Sequence, residues 1–397
     1  MKKKVSVRHL TAILFVILLM VNFLLGLYPF ALGTFRMLRG LANGEDLDVS
    51  TIEYTFNDSF PTKGLLITAN GGIQRLLGVR YLNNRYLLDN GHLTYTIAPY
   101  DTTQVARNTA DFARELEERG IPLVYVNAPF KIYGKDPQLP VGVSDHSNEN
   151  ADRFVSLLRQ QNVQVLDLRE CIEAEGLDHY SLFYKTDHHW TAETGLWAVG
   201  KITDYLQEMD KAFAVDSRIT DPSGYAHTVH KKIFLGSAGR RVGPWFAGKD
   251  DLTVLEPSFD TSLRFYSESA GVDRRGTYSQ TVLFPEKLTG SNIFETVAYD
   301  VYCGQNYAEL RVRNNSREQG LEVQSTPRRV LMFTDSFSAV LIPFLSLSYD
   351  ELCFIDLRYY EGTVSDLVEE FRPDAVLVAY NIGALEESNS NMFAFQK

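Results

Sequence analysis

Cysteine is scarce in this chain: Cys171, Cys303 and Cys353 are the only three in 397 residues. An odd, widely spaced set forms no metal-ligand pattern and defines no disulfide framework. Repeats and low-complexity tracts are absent too, which leaves an ordinary globular reading. Basic residues are few outside the amino terminus. Residues 1–33 hold Lys2, Lys3, Lys4 and Arg8 and no acids, so the remainder carries 35 basic against 50 acidic side chains, net −15. A domain of that sign lacks the basic footprint of nucleic-acid binding. Disorder is excluded by 45% hydrophobic and 22% charged residues. The length suffices for one large domain or two ordinary ones. The 21 Tyr and 24 Phe fit half-buried strands more simply than a sugar-stacking surface.

One long apolar run is present. It extends from Leu10 to Tyr28, follows the basic stub and is closed by Pro29. As a helix it reaches about 28 Å, close to the hydrocarbon thickness of a bilayer. A cleavable signal peptide has a shorter apolar stretch and a small-x-small site; here the run ends in Tyr28-Pro29-Phe30. The expectation is an uncleaved single-pass anchor in the cell membrane. Its basic flank stays cytoplasmic, so the bulk of the chain is extracytoplasmic.

Residues 34–60 read as a polar linker, and 61–397 as one α/β domain. Gln104 to Arg119 has helical spacing and stops at Gly120, a C-cap glycine. Ile121 to Val126 is an apolar strand, Asn148 to Gln160 a helix, Val163 to Asp167 a strand and Thr191 to Glu208 a helix. Arg329 to Phe333, Leu352 to Ile355 and Ala375 to Ala379 are further strands. Helices over Phe337 to Leu345 and Val364 to Phe371 separate them. Such alternation predicts a mostly parallel sheet with helices on both faces. Between about 215 and 325 the helical period disappears, and alternating segments such as Leu310 to Val312 suggest a β-rich insertion over the active face.

Two segments carry chemistry. In Thr186-Asp187-His188-His189-Trp190-Thr191, Asp187 and His189 stand two apart and share a face of extended chain, where the carboxylate fixes the imidazole tautomer. Thr191 caps the following helix. The alternative is a structural turn around a packed Trp. In Phe333-Thr334-Asp335-Ser336-Phe337-Ser338, an apolar strand runs into a serine at a helix start. That is where open α/β sheets bind ligands, and the Ser336 N–H and the helix dipole favour an oxyanion. Asp335 and Ser336 alone would be a plain N-cap. Beside Asp187 and His189, Ser336 becomes a nucleophile with an oriented base.

The two strings together resemble the DHHW proteins of Gram-positive bacteria. They are also similar to the alginate O-acetyltransferase group, whose SGNH-hydrolase-like domains use Asp-x-His-Trp and a Gly-Asp-Ser-Phe serine. Here Thr334 stands where that pattern has Gly. The Ser string follows the Asp-His string, the reverse of ordinary SGNH hydrolases. Motif order, the βα units and Ile355-Asp356-Leu357-Arg358-Tyr359-Tyr360 extend the likeness over most of the chain beyond the anchor. The resemblance implies an SGNH-like, flavodoxin-like fold and an extracytoplasmic O-acetyltransferase acting on a cell-wall polymer or exopolysaccharide. Ser336 would attack the acetyl carbonyl, with His189 as general base and Asp187 as orienter. A multi-spanning membrane acyltransferase would supply the acetyl groups, with no cofactor and no metal. The SGNH pattern adds a Gly and an Asn to the oxyanion hole; beside Ser336 the candidates are Gly304, Asn306 and Asn381, all equally at home in turns. Substrate-binding candidates are His188, Trp190, Arg358 and Tyr359. Trp190 either packs or stacks on sugar, and Arg358 either holds an anionic sugar or pairs with a core carboxylate.

Three rivals remain. A carbohydrate acetylesterase uses the same triad with water as acceptor. A metal-dependent phosphoesterase would take Asp187, His188 and His189 as ligands, but the further Asp/His clusters of such sites are missing. The third is a non-catalytic polysaccharide-binding or assembly protein.

Overall fold

The computed structural model describes residues 7–42, 62–290 and 292–396. Its chain divides into two units, residues 1–78 and 79–397. In the first, a helix runs Val7–Ala42 and contains a stretch, Arg8–Tyr28, long and apolar enough to cross a membrane. The expected linker is therefore helical up to Ala42; its remainder, 43–60, lies outside the described residues. A second helix, Lys63–Leu76, also belongs to this unit.

The second unit opens with a small antiparallel sheet of β1 (Tyr81–Leu82), β2 (Arg85–Leu87) and β3 (Leu93–Thr94). Then come β4 (Leu123–Ala128) and β5 (Gln164–Asp167). The 215–325 stretch contributes β6 (Tyr225–Phe234), β7 (Asp250–Pro257), β8 (Leu263–Ser267), β9 (Val272–Gly276) and β10 (Glu309–Asn314). β11 (Thr326–Thr334), β12 (Tyr349–Ile355) and β13 (Ala375–Asn381) complete the set.

The main sheet has eight strands in the order β5-β4-β13-β11-β12-β10-β8-β9. The first five are parallel neighbours and the last three are joined antiparallel. Counted from β11, and letting β4 and β5 follow β13, the parallel part reads 2-1-3-4-5. That is the flavodoxin-like order, begun at a different point in the chain. The reversed order of the two motifs follows from this circular shift.

Alternate residues of the parallel strands feed two separate cores. Val124, Val126, Met332 and Leu377 pack with the helices Leu168–Glu175, Ala192–Met209 and Ile342–Ser348. Leu123, Tyr125, Phe333 and Val378 pack with Thr103–Glu118, Ser147–Gln160 and Val364–Phe371. Both faces are covered, which is why these strands read as continuous apolar runs.

The 215–325 stretch is β-rich but is not one layer over the active face. β8, β9 and β10 lengthen the main sheet, while β6 and β7 pair as a separate ribbon. β10 buries Leu310 and Val312 and turns Arg313 outward, the alternation of a sheet with one wet face.

Candidate active site

β11 and β13 lie side by side at the point where the strand order reverses, the crevice in which doubly wound sheets bind ligands. β11 ends at Thr334, whose hydroxyl donates to the Ile355 carbonyl at 3.3 Å. Thr334 and Asp335 keep negative φ, so the place held by Gly in related motifs needs no glycine here. Asp335 accepts from the Phe337 N–H at 2.9 Å and from the Asn381 N–H at 2.8 Å. It is the N-cap and also ties the ends of β11 and β13 together; burial raises its pKa. The expected helix at Phe337 to Leu345 divides into a 3₁₀ turn, Ser336–Val340, and the helix Ile342–Ser348. The short turn limits any help from a helix dipole. Ser336 is partly exposed, and its amide N–H has no acceptor among the described residues.

His189 arrives from a loop closed by the Phe183–Trp190 bridge. Thr191 caps the next helix, accepting from the Thr194 N–H at 3.2 Å. The imidazole Nε2 lies 2.9 Å from Ser336 Oγ, and Nδ1 lies 2.5 Å from Asp187 Oδ1. Asp187 Oδ1 also accepts from the His189 N–H at 3.0 Å, and Oδ2 from the Ser237 N–H. Burial alone would raise the Asp187 pKa, but His189, His188 and these hydrogen bonds hold it well below the usual carboxylate range. Tyr299 stacks on the imidazole, with centroids 4.4 Å apart and planes 10° from parallel. Phe337 covers it from 5.1 Å.

Residues 94–218 match the family described as the SGNH hydrolase-like domain of the acetyltransferase AlgX. PatB1 of Bacillus cereus, solved also with a sulfonyl adduct, covers 80% of this chain and is itself covered in full, at 20% identity and TM-score 0.64. A DHHW family protein from Eubacterium siraeum DSM 15702 covers 79%, with 95% of that chain matched, at 17% identity and TM-score 0.60. No curated protein matches the chain by sequence.

The fold is SGNH hydrolase-like.

Within this SGNH-like domain the remaining candidates separate clearly. Trp190 is fully buried and cannot stack on a sugar. Its indole N–H donates to the Phe337 carbonyl at 2.9 Å, so it ties the histidine loop to the serine turn. His188 does not reach Ser336: its Nδ1 meets Ser237 Oγ at 2.8 Å, and burial together with His189 pushes its pKa down to about 3. Arg358 pairs with the buried Asp356 at 2.9 and 2.6 Å, deciding that alternative for the carboxylate. Tyr359 is 55% exposed beside it. Two oxyanion candidates are corrected. The Gly304 N–H donates to the Asp300 carbonyl at 2.9 Å within a turn at φ +79°. Asn381 uses its side chain on the Pro129 carbonyl and the Gly383 N–H. Asn306 is exposed and, with Asp335 and Asp356, lines a small cavity beside the serine turn.

Asp187, His188 and His189 have donor atoms within 4.8 Å of one another. Each donor that a metal would need already faces a partner: Asp187 with His189, His188 with Ser237, and His189 with Ser336. That arrangement suits proton transfer better than chelation.

Sequence reasoning missed Tyr299, Gly236, Ser237 and Asp250. Asp250 accepts from the Lys185 N–H, the Thr186 N–H and the Thr186 hydroxyl at 3.0, 2.8 and 2.6 Å. Gly236 has no room for a side chain, since a Cβ there would lie 2.2 Å from that of Asp187. The Gly236-Ser237 pair ending a strand-like run was the one local signal available; Tyr299 and Asp250 offer none.

Proposed function

We propose that this chain is a membrane-anchored, extracytoplasmic O-acetyltransferase that modifies a cell-surface or exported polysaccharide through a serine acyl-enzyme. The observation that supports this most is the continuous chain Asp187–His189–Ser336, with contacts of 2.5 and 2.9 Å. In the first half-reaction the Ser336 proton passes to His189 Nε2 as Oγ attacks the acetyl carbonyl. The bond from the acyl carbon to the donor oxygen breaks, and that oxygen takes the proton from His189. In the second, a sugar hydroxyl gives its proton to His189 and attacks the acyl carbon; the bond to Oγ breaks and Ser336 regains its proton. Asp187 steadies the imidazolium in both halves. The Ser336 N–H supplies one oxyanion donor, and Asn306 is the remaining candidate for a second; losing such a donor costs about a hundred- to a thousandfold in rate.

The apolar Arg8–Tyr28 stretch supports anchoring with the α/β domain outside, where a multi-spanning acyltransferase of the same membrane would present the acetyl group. The SGNH-like acetyltransferase family match supports the reaction class.

The test is incubation of the purified full chain with an acetyl ester, with and without oligosaccharides. Acetylated oligosaccharide that disappears in Ser336→Ala supports transfer. Acetate release that is indifferent to the sugar replaces it with an esterase. Sugar binding without any turnover leaves only the assembly role.

A further inference from the structure

Lys131 has no place in the scheme above, yet its surroundings are those of a working part. It follows the end of β4 by three residues, in Pro129-Phe130-Lys131-Ile132, and is fully buried. A buried lysine ordinarily sits against a carboxylate. Among the described residues none lies within ion-pair distance of this one. Its ammonium donates instead to backbone carbonyls: Leu93 at 3.0 Å, Tyr184 at 2.6 Å and Asp187 at a still shorter distance. The Lys185 carbonyl stands 3.4 Å away. Three N–H donors meet three close acceptors, so the group is saturated.

The opposite side of the same loop is held by an anion. Asp250 binds the N–H groups of Lys185 and Thr186. The two peptide units Tyr184–Lys185 and Lys185–Thr186 thus lie between a carboxylate on their N–H side and an ammonium on their C=O side. The Thr186 carbonyl accepts instead from the Gly239 N–H at 2.8 Å, and the Asp187 carbonyl meets the ammonium. Burial pushes the Lys131 pKa down to about 8, which leaves the amine protonated at neutral pH.

A packing role alone would be met by a methionine of similar length, without the penalty of burying a charge. What methionine could not do is seize the carbonyl of Asp187 itself. That contact fixes the peptide from which the Asp187 side chain departs toward His189.

We propose that Lys131 is a positioning residue for acyl transfer: its ammonium clamps the Tyr184–Asp187 backbone and thereby aims the Asp187 carboxylate at His189. The inference rests on the proposed function, because it assigns Lys131 to the activation of Ser336.

The experiment measures how fast an aryl sulfonyl fluoride modifies Ser336 in the full-length chain, in wild type, Lys131→Met, Asp187→Asn and the double variant, with melting checked for each. Losing an outer hydrogen-bonding partner of this kind costs about ten- to a hundredfold. Lys131→Met should slow labelling by that amount in the wild-type background and by less than about twofold in the Asp187→Asn background, since coupled residues fail to add. Lys131→Gln, which keeps two N–H donors, should recover part of the rate and stands in if the methionine variant fails to fold. Equal slowing in both backgrounds would reduce Lys131 to a structural role. Labelling at the wild-type rate in both single-lysine variants would overturn the inference while the function stands. A wild-type Ser336 that resists the reagent would remove the function and the inference together.

Discussion

The parallel core and the 215–325 stretch reach the same site by different routes. The core supplies Ser336 from the end of β11 and joins that end to β13 through Asp335, so the proposed nucleophile inherits its position from the sheet. The stretch supplies no reacting group; it supplies what holds the Asp187–His189 loop: Gly236 and Ser237 under the carboxylate, Asp250 under the preceding peptides and Tyr299 against the imidazole. One region places the proposed nucleophile, and the other stiffens its proposed base. The difference teaches that residues remote from the reacting atoms should matter here through orientation, with smaller and separable effects.

The largest effect tests the core side. Ser336→Ala and His189→Ala should each lower acetyl transfer by about a millionfold, the scale seen when a triad member is lost, with melting little changed. Asp187→Asn should cost about ten-thousandfold, because the amide presents the wrong partner to Nδ1; a loss no larger than tenfold would mean that His189 is oriented by something else.

The stretch side should show intermediate effects. Gly236→Ala forces a Cβ into that of Asp187. Overpacking of this kind costs about 1–3 kcal/mol, so both melting temperature and turnover should fall; unchanged calorimetry would contradict the close approach. Tyr299→Phe should be almost silent, since the buried hydroxyl has no partner among the described residues. Tyr299→Leu, which removes the stacked ring, should slow turnover about two- to tenfold. If the two substitutions behaved alike, the ring contact would not be the contribution.

The smallest and sharpest effect is in pH. His188 is pushed down to about 3, and Asp187 lies well below the usual carboxylate range. Neither takes up a proton between neutrality and about pH 5, near the top of the ordinary carboxylate range. His188→Ala should therefore leave the shape of the acid limb of activity unchanged. A limb whose shape changed in that variant would bring His188 into the chemistry.

Much of this architecture was legible beforehand. β4, β11 and β13 are buried on both faces, and such strands carry unbroken apolar runs. The helix Val364–Phe371 was bounded where the structure has it. Ser336, His189 and Asp187 could be named because each stands in a short string whose local chemistry is visible. What failed was non-local. β8, β9 and β10 became sheet strands by pairing across the edge of β12, and nothing within their own sequences specifies that edge. Gly304 and Asn381 looked like donors by residue type, but the Gly304 N–H is spent within a turn and the Asn381 amide on the distant Pro129 carbonyl, which only tertiary structure reveals. For Trp190 the sequence admits either packing or stacking on sugar, and its indole N–H on the Phe337 carbonyl decides for packing. Lys131 gave no periodic signal, and its meaning comes from carbonyls that lie up to 56 positions away.

The most direct measurement of the central claim is to trap the acyl-enzyme: mix the full chain with an acetyl ester, quench, and locate the acetyl group by peptide mass spectrometry. The account predicts one acetyl on Ser336, removed by adding the acceptor sugar and never formed in His189→Ala. An acetyl group found elsewhere, or one on Ser336 that forms equally fast without His189, would contradict it.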